Sequence, residues 1–334
     1  MFGEEYTSVY PKVKNWAASL VLSKDKCSEI LSMNMPEYLQ FLKALSKKID
    51  LNTDDNVQLE GQLKQEGFYF IESISRYLLG YTKVFILYLG KIHEIENLKI
   101  ITRSLLNKRP VNFLYRIHRT SRIQMEFVKD IKTLDEFQNL LGGTEYYRLA
   151  SDAIPRIKNE NTTFYFEMNL DNYYANSIKK QISRLGPDEK KQIKNIFFYY
   201  LNISRLLWIY RAKFNFSMSN EEIIAIVPNI PVIFSKSAYH SLLDSETKEN
   251  FIEKLKNLGF LEVRDPDHFN LEKEMYFQLM KKGKSCLVGN PFSLSVFLGF
   301  FILNIIHVRN LITALEAKKL GVDAAKIMEM LVYD

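Results

Sequence analysis

The stretch Lys91 to Arg103, reading Lys-Ile-His-Glu-Ile-Glu-Asn-Leu-Lys-Ile-Ile-Thr-Arg, returns twice further along the chain in degenerate form. With Asn97 set against Arg205 and Asn310 and no gaps, five apolar columns fall into register. They are Leu89, Phe197 and Ile302; Ile92, Tyr200 and Ile305; Ile95, Ile203 and Val308; Leu98, Leu206 and Leu311; Ile101, Ile209 and Ala314. Apolar residues every third position make one stripe on a helix, and a repeat of that stripe at intervals of roughly a hundred residues predicts a triplicated helical unit. Polar positions follow less closely. Arg103 matches Arg211 and Asn97 matches Asn310, but Arg205 stands where the other two copies have Asn, and Glu316 where they have Arg.

The flanks extend the agreement. After Arg211 come Ala212-Lys213, a short loop, and Ser219 with Glu222 as a capping box before Ile223-Ile224. After Glu316 come Ala317-Lys318, a short loop, and Asp323 as a cap before Ile327-Met328. The chain of 334 residues is long enough for two or three packed units. The repeat divides it into 1–110, 111–228 with a basic linker at its start, and 229–334. Only nine prolines and thirteen glycines interrupt it, and no proline lies between Pro36 and Pro110, so the expected fold is all-α with long elements.

Taken in order, Tyr6, Tyr10, Val13, Ala17 and Leu20 predict a first amphipathic helix, and Ser23 can cap a second over Cys27 to Met33. Pro36 opens a short helix with Leu39, Leu42 and Leu45 as its apolar face. From Asp54 to about Lys108 two long helical segments are expected. Beyond Pro110 lies the most basic part of the chain, with Lys108, Arg109, Arg116, His118, Arg119 and Arg122 interleaved with Phe113, Leu114, Tyr115 and Ile117. Spaced by three, Arg116, Arg119 and Arg122 would share a helical face. Gly142-Gly143 and Pro155 bracket Thr144 to Ile154, and Lys158 to Thr163 reads as a loop. A helix from Phe164 to Leu185 breaks at Gly186-Pro187 and restarts into the second copy, which Pro228 and Pro231 close. Helices at Ser235 to Leu243 and Lys248 to Leu258, an extended piece at Leu261 to Arg264, and a Tyr276 to Lys282 segment precede the third copy.

Chemistry-bearing patterns are missing where an enzyme would need them. Gly283-Lys284-Ser285 imitates the end of a phosphate-binding loop, but Gln278 occupies the place of the required glycine. The five histidines, His93, His118, His240, His268 and His307, have no paired metal-ligand spacing, and Asp265-Pro-Asp-His268 lacks the calcium-loop glycine. Cys27 and Cys286 are isolated, which excludes a disulfide framework. Glu94, Glu96 and Asp171 sit in apolar helices, though Glu96 has Lys99 and Arg103 nearby for surface ion pairing. No catalytic, cofactor-binding or metal-binding residue is therefore expected. Met1-Phe-Gly-Glu-Glu lacks the basic start of a signal peptide. Phe292 to Ile306 is apolar but shorter than the roughly 20 residues that span a bilayer, so a buried helix and no membrane insertion are expected. The net charge of +6 is a mild excess that permits an acidic partner or a membrane surface and requires neither. The arginines at 116, 119 and 122 read as a solvated or protein-docking face rather than a nucleic-acid site.

Asp171-Asn-Tyr-Tyr, Ile203-Ser-Arg-Leu-Leu-Trp-Ile-Tyr-Arg-Ala-Lys-Phe, Ser219-Asn-Glu-Glu-Ile-Ile-Ala-Ile-Val-Pro and Val308-Arg-Asn-Leu-Ile-Thr-Ala, in this order, resemble the C-type central-stalk component of the V/A-type ATPases, whose vacuolar counterpart carries the letter d. Glu94-Ile-Glu-Asn-Leu-Lys-Ile-Ile-Thr-Arg is similar to an acidic-x-acidic-Asn-x-Lys segment of that family. The resemblance covers Tyr6 to Leu331. It implies three similar helical units in a pseudo-threefold funnel, seated on the membrane rotor ring at the inner face of the membrane and receiving the tip of the rotor shaft. It implies a central-stalk part without an active site or cofactor, serving ATP-coupled proton or sodium transport. Ser204-Arg205 and Glu316 depart from the family pattern. The competing reading is an α-helical scaffold for nucleic acid or a regulatory partner.

Overall fold

A computed structural model describes residues 9–45, 56–226, 234–264 and 269–334. Among these the chain is all-α, with no β-strand. The helices are α1 (Tyr10–Ser19), α2 (Lys24–Ser32), α3 (Met35–Leu45), α4 (Asn56–Ser75), α5 (Gly80–Gly90), α6 (Ile92–Asn107), α7 (Leu134–Leu140), α8 (Tyr147–Glu160) and α9 (Phe164–Ile182). They continue with α10 (Pro187–Phe214), α11 (Asn220–Ile226), α12 (Lys236–Leu243), α13 (Lys248–Asn257), α14 (Leu271–Val288), α15 (Leu294–Lys319) and α16 (Ala324–Met330). Expectations at Tyr6, at Pro228 and Pro231, and at Asp265 to His268 lie outside the described residues.

Local chemistry sets most of these ends. Ser23 accepts the Lys26 N–H at the start of α2, and Pro36 occupies the first turn of α3. The Ser219 capping box forms: its hydroxyl accepts from the Glu222 N–H at 3.2 Å, and the Glu222 carboxylate accepts from the Ser219 N–H at 2.8 Å. Asp323 accepts from the Ala325 N–H at 2.9 Å and opens α16. Thr133 and Glu136 make a second capping box, at α7.

Four expectations need correction. Asp54 to Lys108 holds three helices, because Gly80, with φ +54, starts α5 and the chain breaks between Gly90 and Ile92. Tyr38 and Leu42, fully buried, are the packing face of α3, whereas Leu45 is exposed. Pro155 lies inside α8 rather than ending it, so the helix runs on to Glu160 and the loop shrinks to the residues around Asn161, which takes the left-handed conformation. Residues 109–124 are extended, with one turn near Thr120, so Arg116, Arg119 and Arg122 share no helical face. Lys108, left-handed at φ 51, and then Pro110 end α6 and forbid its continuation.

The chain forms two compact units. A middle unit spans Thr53–Ser183, with 228–230; a terminal unit gathers Met1–Asn52, Arg184–Val227 and Pro231–Asp334. In the terminal unit, α14 and α15 pack against each other most extensively, with α10 and α1 against α15. Their approach is close because two glycines cross: a Cβ on Gly299 would lie 2.7 Å from the Gly283 carbonyl oxygen. Gly283-Lys284-Ser285 is thus helical and packed, the opposite of a phosphate-cradling loop. Helix α15 is long and apolar enough to cross a membrane, yet 72% of its most apolar window is buried inside the protein. In the middle unit, α9 packs on α5, α6 and α8, and α4 packs on α5. The extended basic segment lies over Gly61, where the Phe113 ring fills the space that a Cβ would need.

Candidate functional site

Helices α6, α10 and α15 carry the three copies of the motif, and their burial follows the columns. Leu89, Phe197 and Ile302 are fully buried, as are Ile95 and Ile203, and Leu98, Leu206, Leu311, Ile101, Ile209 and Ala314 are all buried. Ile92, Tyr200 and Ile305 are half-buried in every copy.

Polar side chains sit among these apolar ones. Asn97 is fully buried; its Nδ2 donates to the Tyr115 carbonyl and its Oδ1 accepts from the Tyr115 N–H, both at 2.7 Å. Asn310, also fully buried, grips Val332 in the same two-bond manner, at 2.7 and 2.9 Å, and donates to the Val21 carbonyl at 3.0 Å. Each asparagine clips an extended piece of chain to the middle of its helix. Arg205 is buried at the corresponding place with its guanidinium 4.3 Å from the centre of the Tyr239 ring. One turn earlier the three copies carry Glu94, Asn202 and His307, all buried. Glu94 accepts from the Tyr146 hydroxyl at 2.7 Å, Asn202 donates to the Phe198 carbonyl at 2.7 Å, and His307 Nδ1 accepts from the Val21 N–H at 2.9 Å. Burial pushes His307 down to about 4, with Lys26 adding to the effect, so it stays neutral and able to accept that bond. Six residues beyond the clip position, nearly two turns, Arg103 pairs with Glu167, and Arg211 with Glu272 at 3.0 Å. Lys99 is buried rather than on a surface, bonding Glu96 at 3.0 Å and Asp171 at 2.6 Å. Burial is the larger influence on Asp171 and raises its pKa despite Lys99.

The basic segment follows from the clip. Tyr115 is held by Asn97, and the Arg116 N–H donates to Gln65 of α4. Tyr115 therefore points inward, with its ring 4.7 Å from that of His93, while Arg116, Arg119 and Arg122 are exposed. Arg116 reaches Glu72 at 3.9 Å and stands 5.9 Å from the Tyr69 ring centre, and Arg122 donates to the Gly143 carbonyl at 3.4 Å.

Beside this segment lies a cavity of about 420 Å³, lined by α5, the start of α6, His118, Thr120 to Ile123, Thr144 to Tyr146, and Tyr173. Glu94 and Tyr146 are its buried polar side chains, and Glu145, Thr120 and Arg122 are exposed at its edge. Lys91 pairs with Glu145 and stands 4.0 Å from Glu94, with its ammonium 4.9 Å from the Tyr88 ring centre. Burial lowers its pKa, but the two carboxylates outweigh this and hold Lys91 above the ordinary lysine range. Among the described residues no three of His, Cys, Asp and Glu cluster as a metal site would require. The arrangement offers charged and hydrogen-bonding groups for recognition. Sequence reasoning misses this cavity because its walls come from four separate stretches, and it misses the clips because an asparagine gives no sign of which backbone it will meet.

The C subunits of two archaeal A-type ATP synthases are similar to the chain. That of Methanobrevibacter smithii is 27% identical over 205 residues, covering 58% of this chain and 52% of its own length. That of Methanocaldococcus jannaschii is 21% identical over 218 residues, covering 63% of this chain and 54% of its own length. The match thus spans about half the length of these relatives. A family model described as ATP synthase (C/AC39) subunit matches residues 17–330, which takes in all three motif helices and both clipping asparagines, and the chain belongs to that family.

Proposed function

We propose that this chain is a non-catalytic central-stalk part of a rotary V/A-type ATPase, joining the rotor shaft of the soluble head to the membrane rotor ring. Three similar helical units, 1–110, 111–228 and 229–334, would form a pseudo-threefold socket for the shaft. The observation that carries this reading is the family match across nearly the whole chain, together with a burial pattern that recurs in α6, α10 and α15. A part that transmits torque needs stiffness, shape and docking surfaces rather than chemistry. Long helices packed through apolar stripes, with straps clipped to them by buried amides, supply the stiffness.

The chain sits at the inner face of the membrane through the ring, with α15 serving as a core helix rather than a span. Arg116, Arg119 and Arg122 face a partner protein of the complex. Purified shaft and ring proteins test the reading directly. The chain is expected to co-migrate with each, and reversing the three arginines to glutamate is expected to weaken assembly without changing melting. Failure to bind either of them would defeat the proposal, and unchanged assembly after reversal would remove the arginines from it. Strongly salt-dependent affinity for RNA or DNA would instead favour the nucleic-acid scaffold.

A further inference from the structure

The two clipped straps differ in one respect. In the terminal unit, His307 and Asn310 together hold both backbone groups of Val21, the N–H at 2.9 Å and the C=O at 3.0 Å. The strap then runs beside the last residues of the chain: Asp334 N–H donates to the Leu22 carbonyl and Lys24 N–H to the Asp334 carbonyl, each at 3.2 Å. Three layers result, namely helix, clipped tail and a second extended segment paired with the tail.

In the middle unit the helix and the clipped segment are present in the same relation. The motif register places Glu94 where the terminal unit has His307. Glu94 is only 4% exposed, yet it lines the cavity. The Tyr146 hydroxyl and Lys91 both address its Oε2, and among the described residues no donor reaches Oε1. Ile117 lies two residues beyond the clipped Tyr115, as Asp334 lies two beyond the clipped Val332. Among the described residues neither its N–H nor its C=O has a hydrogen-bond partner. An acceptor on a buried side chain thus lines an open cavity, and an unpaired backbone position adjoins its wall at His118, where the terminal unit has a bound strap.

We propose that this cavity seats an extended peptide segment of a partner protein. Glu94 Oε1 accepts one of its backbone N–H groups, and Ile117 pairs with its backbone as Asp334 pairs with Leu22 and Lys24. This rests on the reading that the basic segment faces a partner, and it names the kind of partner. Strand addition to an unpaired edge gives affinity through the main chain and selects side chains at alternate positions. Val84, Leu87 and Tyr173 line the cavity and suit apolar side chains on the inward positions. Glu94 disfavours an acidic side chain there. The exposed Arg116, Arg119 and Arg122 suit acidic side chains on the outward ones.

The probe is a fluorescently labelled peptide with the sequence Ser-Leu-Val-Leu-Ser-Glu-Asp, which is the chain's own strap with the residue at Lys24 made acidic. The whole chain is titrated into it and polarisation is read. Saturable binding is expected, with slowed amide exchange confined to the stretch around Ile117 to Ile123. Methylating the valine amide nitrogen of the peptide, which removes one N–H without touching the protein, is expected to weaken binding at least tenfold. Glu94→Leu is expected to weaken it by a similar factor, and Glu94→Gln, which keeps an acceptor, by less than threefold. No saturable binding as the chain is titrated to about millimolar, equal binding of the methylated peptide, or protection elsewhere on the chain would overturn the proposal. Assembly with shaft and ring by the same preparation that fails to bind peptide would sink this inference while leaving the coupling role intact.

Discussion

Replacing Asn310 by leucine removes a clip while keeping the branched outline of four side-chain heavy atoms, so lost hydrogen bonding dominates the cost and crowding by the larger methyl groups adds to it. Three bonds disappear, to the Val332 N–H at 2.9 Å, the Val332 carbonyl at 2.7 Å and the Val21 carbonyl at 3.0 Å. Val332 is fully buried and Val21 is 2% exposed, so water cannot readily replace the amide. A buried backbone group left without a partner costs about 1 to 3 kcal/mol, and three such groups, allowing for partial relaxation of the strap, give about 3 to 5 kcal/mol.

The assay suits the molecule. Both tryptophans, Trp16 and Trp208, lie in the terminal unit, so their fluorescence during urea denaturation follows the unit that contains Asn310. The expected result is a midpoint displaced by that free energy at unchanged slope. Asn97→Leu strands only the Tyr115 N–H and C=O, so its cost is expected to be smaller, about 2 to 3 kcal/mol. A terminal-unit midpoint within about 0.5 kcal/mol of wild type would refute the reasoning, because it would mean that the clip holds nothing that water cannot hold as well.

Leu98→Asp, Leu206→Asp and Leu311→Asp each bury a charge beside an apolar stripe, and each is expected to cost roughly 3 kcal/mol or more; wild-type melting for any of them would take its helix out of the core. His93 and His307 are both held down to about 4 by burial, against 6.5 in the unfolded chain. Because the unfolded state takes up the proton first, stability is full above about pH 6.5, falls as pH drops towards 4 and levels off below. Each histidine contributes a loss of roughly 3 kcal/mol across that window, and His307→Gln should flatten the fluorescence-detected part; an unchanged pH profile would contradict the neutral-acceptor role. Gly299→Ala places a methyl 2.7 Å from the Gly283 carbonyl oxygen and from the Cys286 Cβ, and a loss of about 1 to 3 kcal/mol is expected; wild-type stability would show that the α14–α15 crossing can open freely.

What can be read from the sequence is what a single helix decides for itself. The Ser219 box, the caps at Ser23 and Asp323, and the apolar columns depend on spacing along one element, and each is found where its spacing puts it. What cannot be read depends on distant partners. Arg116, Arg119 and Arg122 have helical spacing, but their stretch is extended because Gln65 and Asn97 hold its backbone and Gly61 leaves room for Phe113. Glu94 and His307 look unrelated because identity differs. They share polarity and burial, and the terminal-unit member shows its use only once Val21, far away in sequence, is brought to it. Pro155 misleads for a local reason: a helix can accept proline in its interior when packing of Ala150, Ala153, Ile154 and Ile157 outweighs one lost hydrogen bond.

The proposed role is coupling, and coupling can be measured without reference to any single contact. Complexes of the soluble head, shaft and membrane sector are assembled in sealed vesicles with and without this chain, and ATP hydrolysis and ion uptake are followed together. The account predicts that without the chain the head still hydrolyses ATP while ion uptake disappears, and that adding the purified chain restores uptake in step with hydrolysis. Ion uptake that continues at the same ratio to hydrolysis in its absence would contradict it.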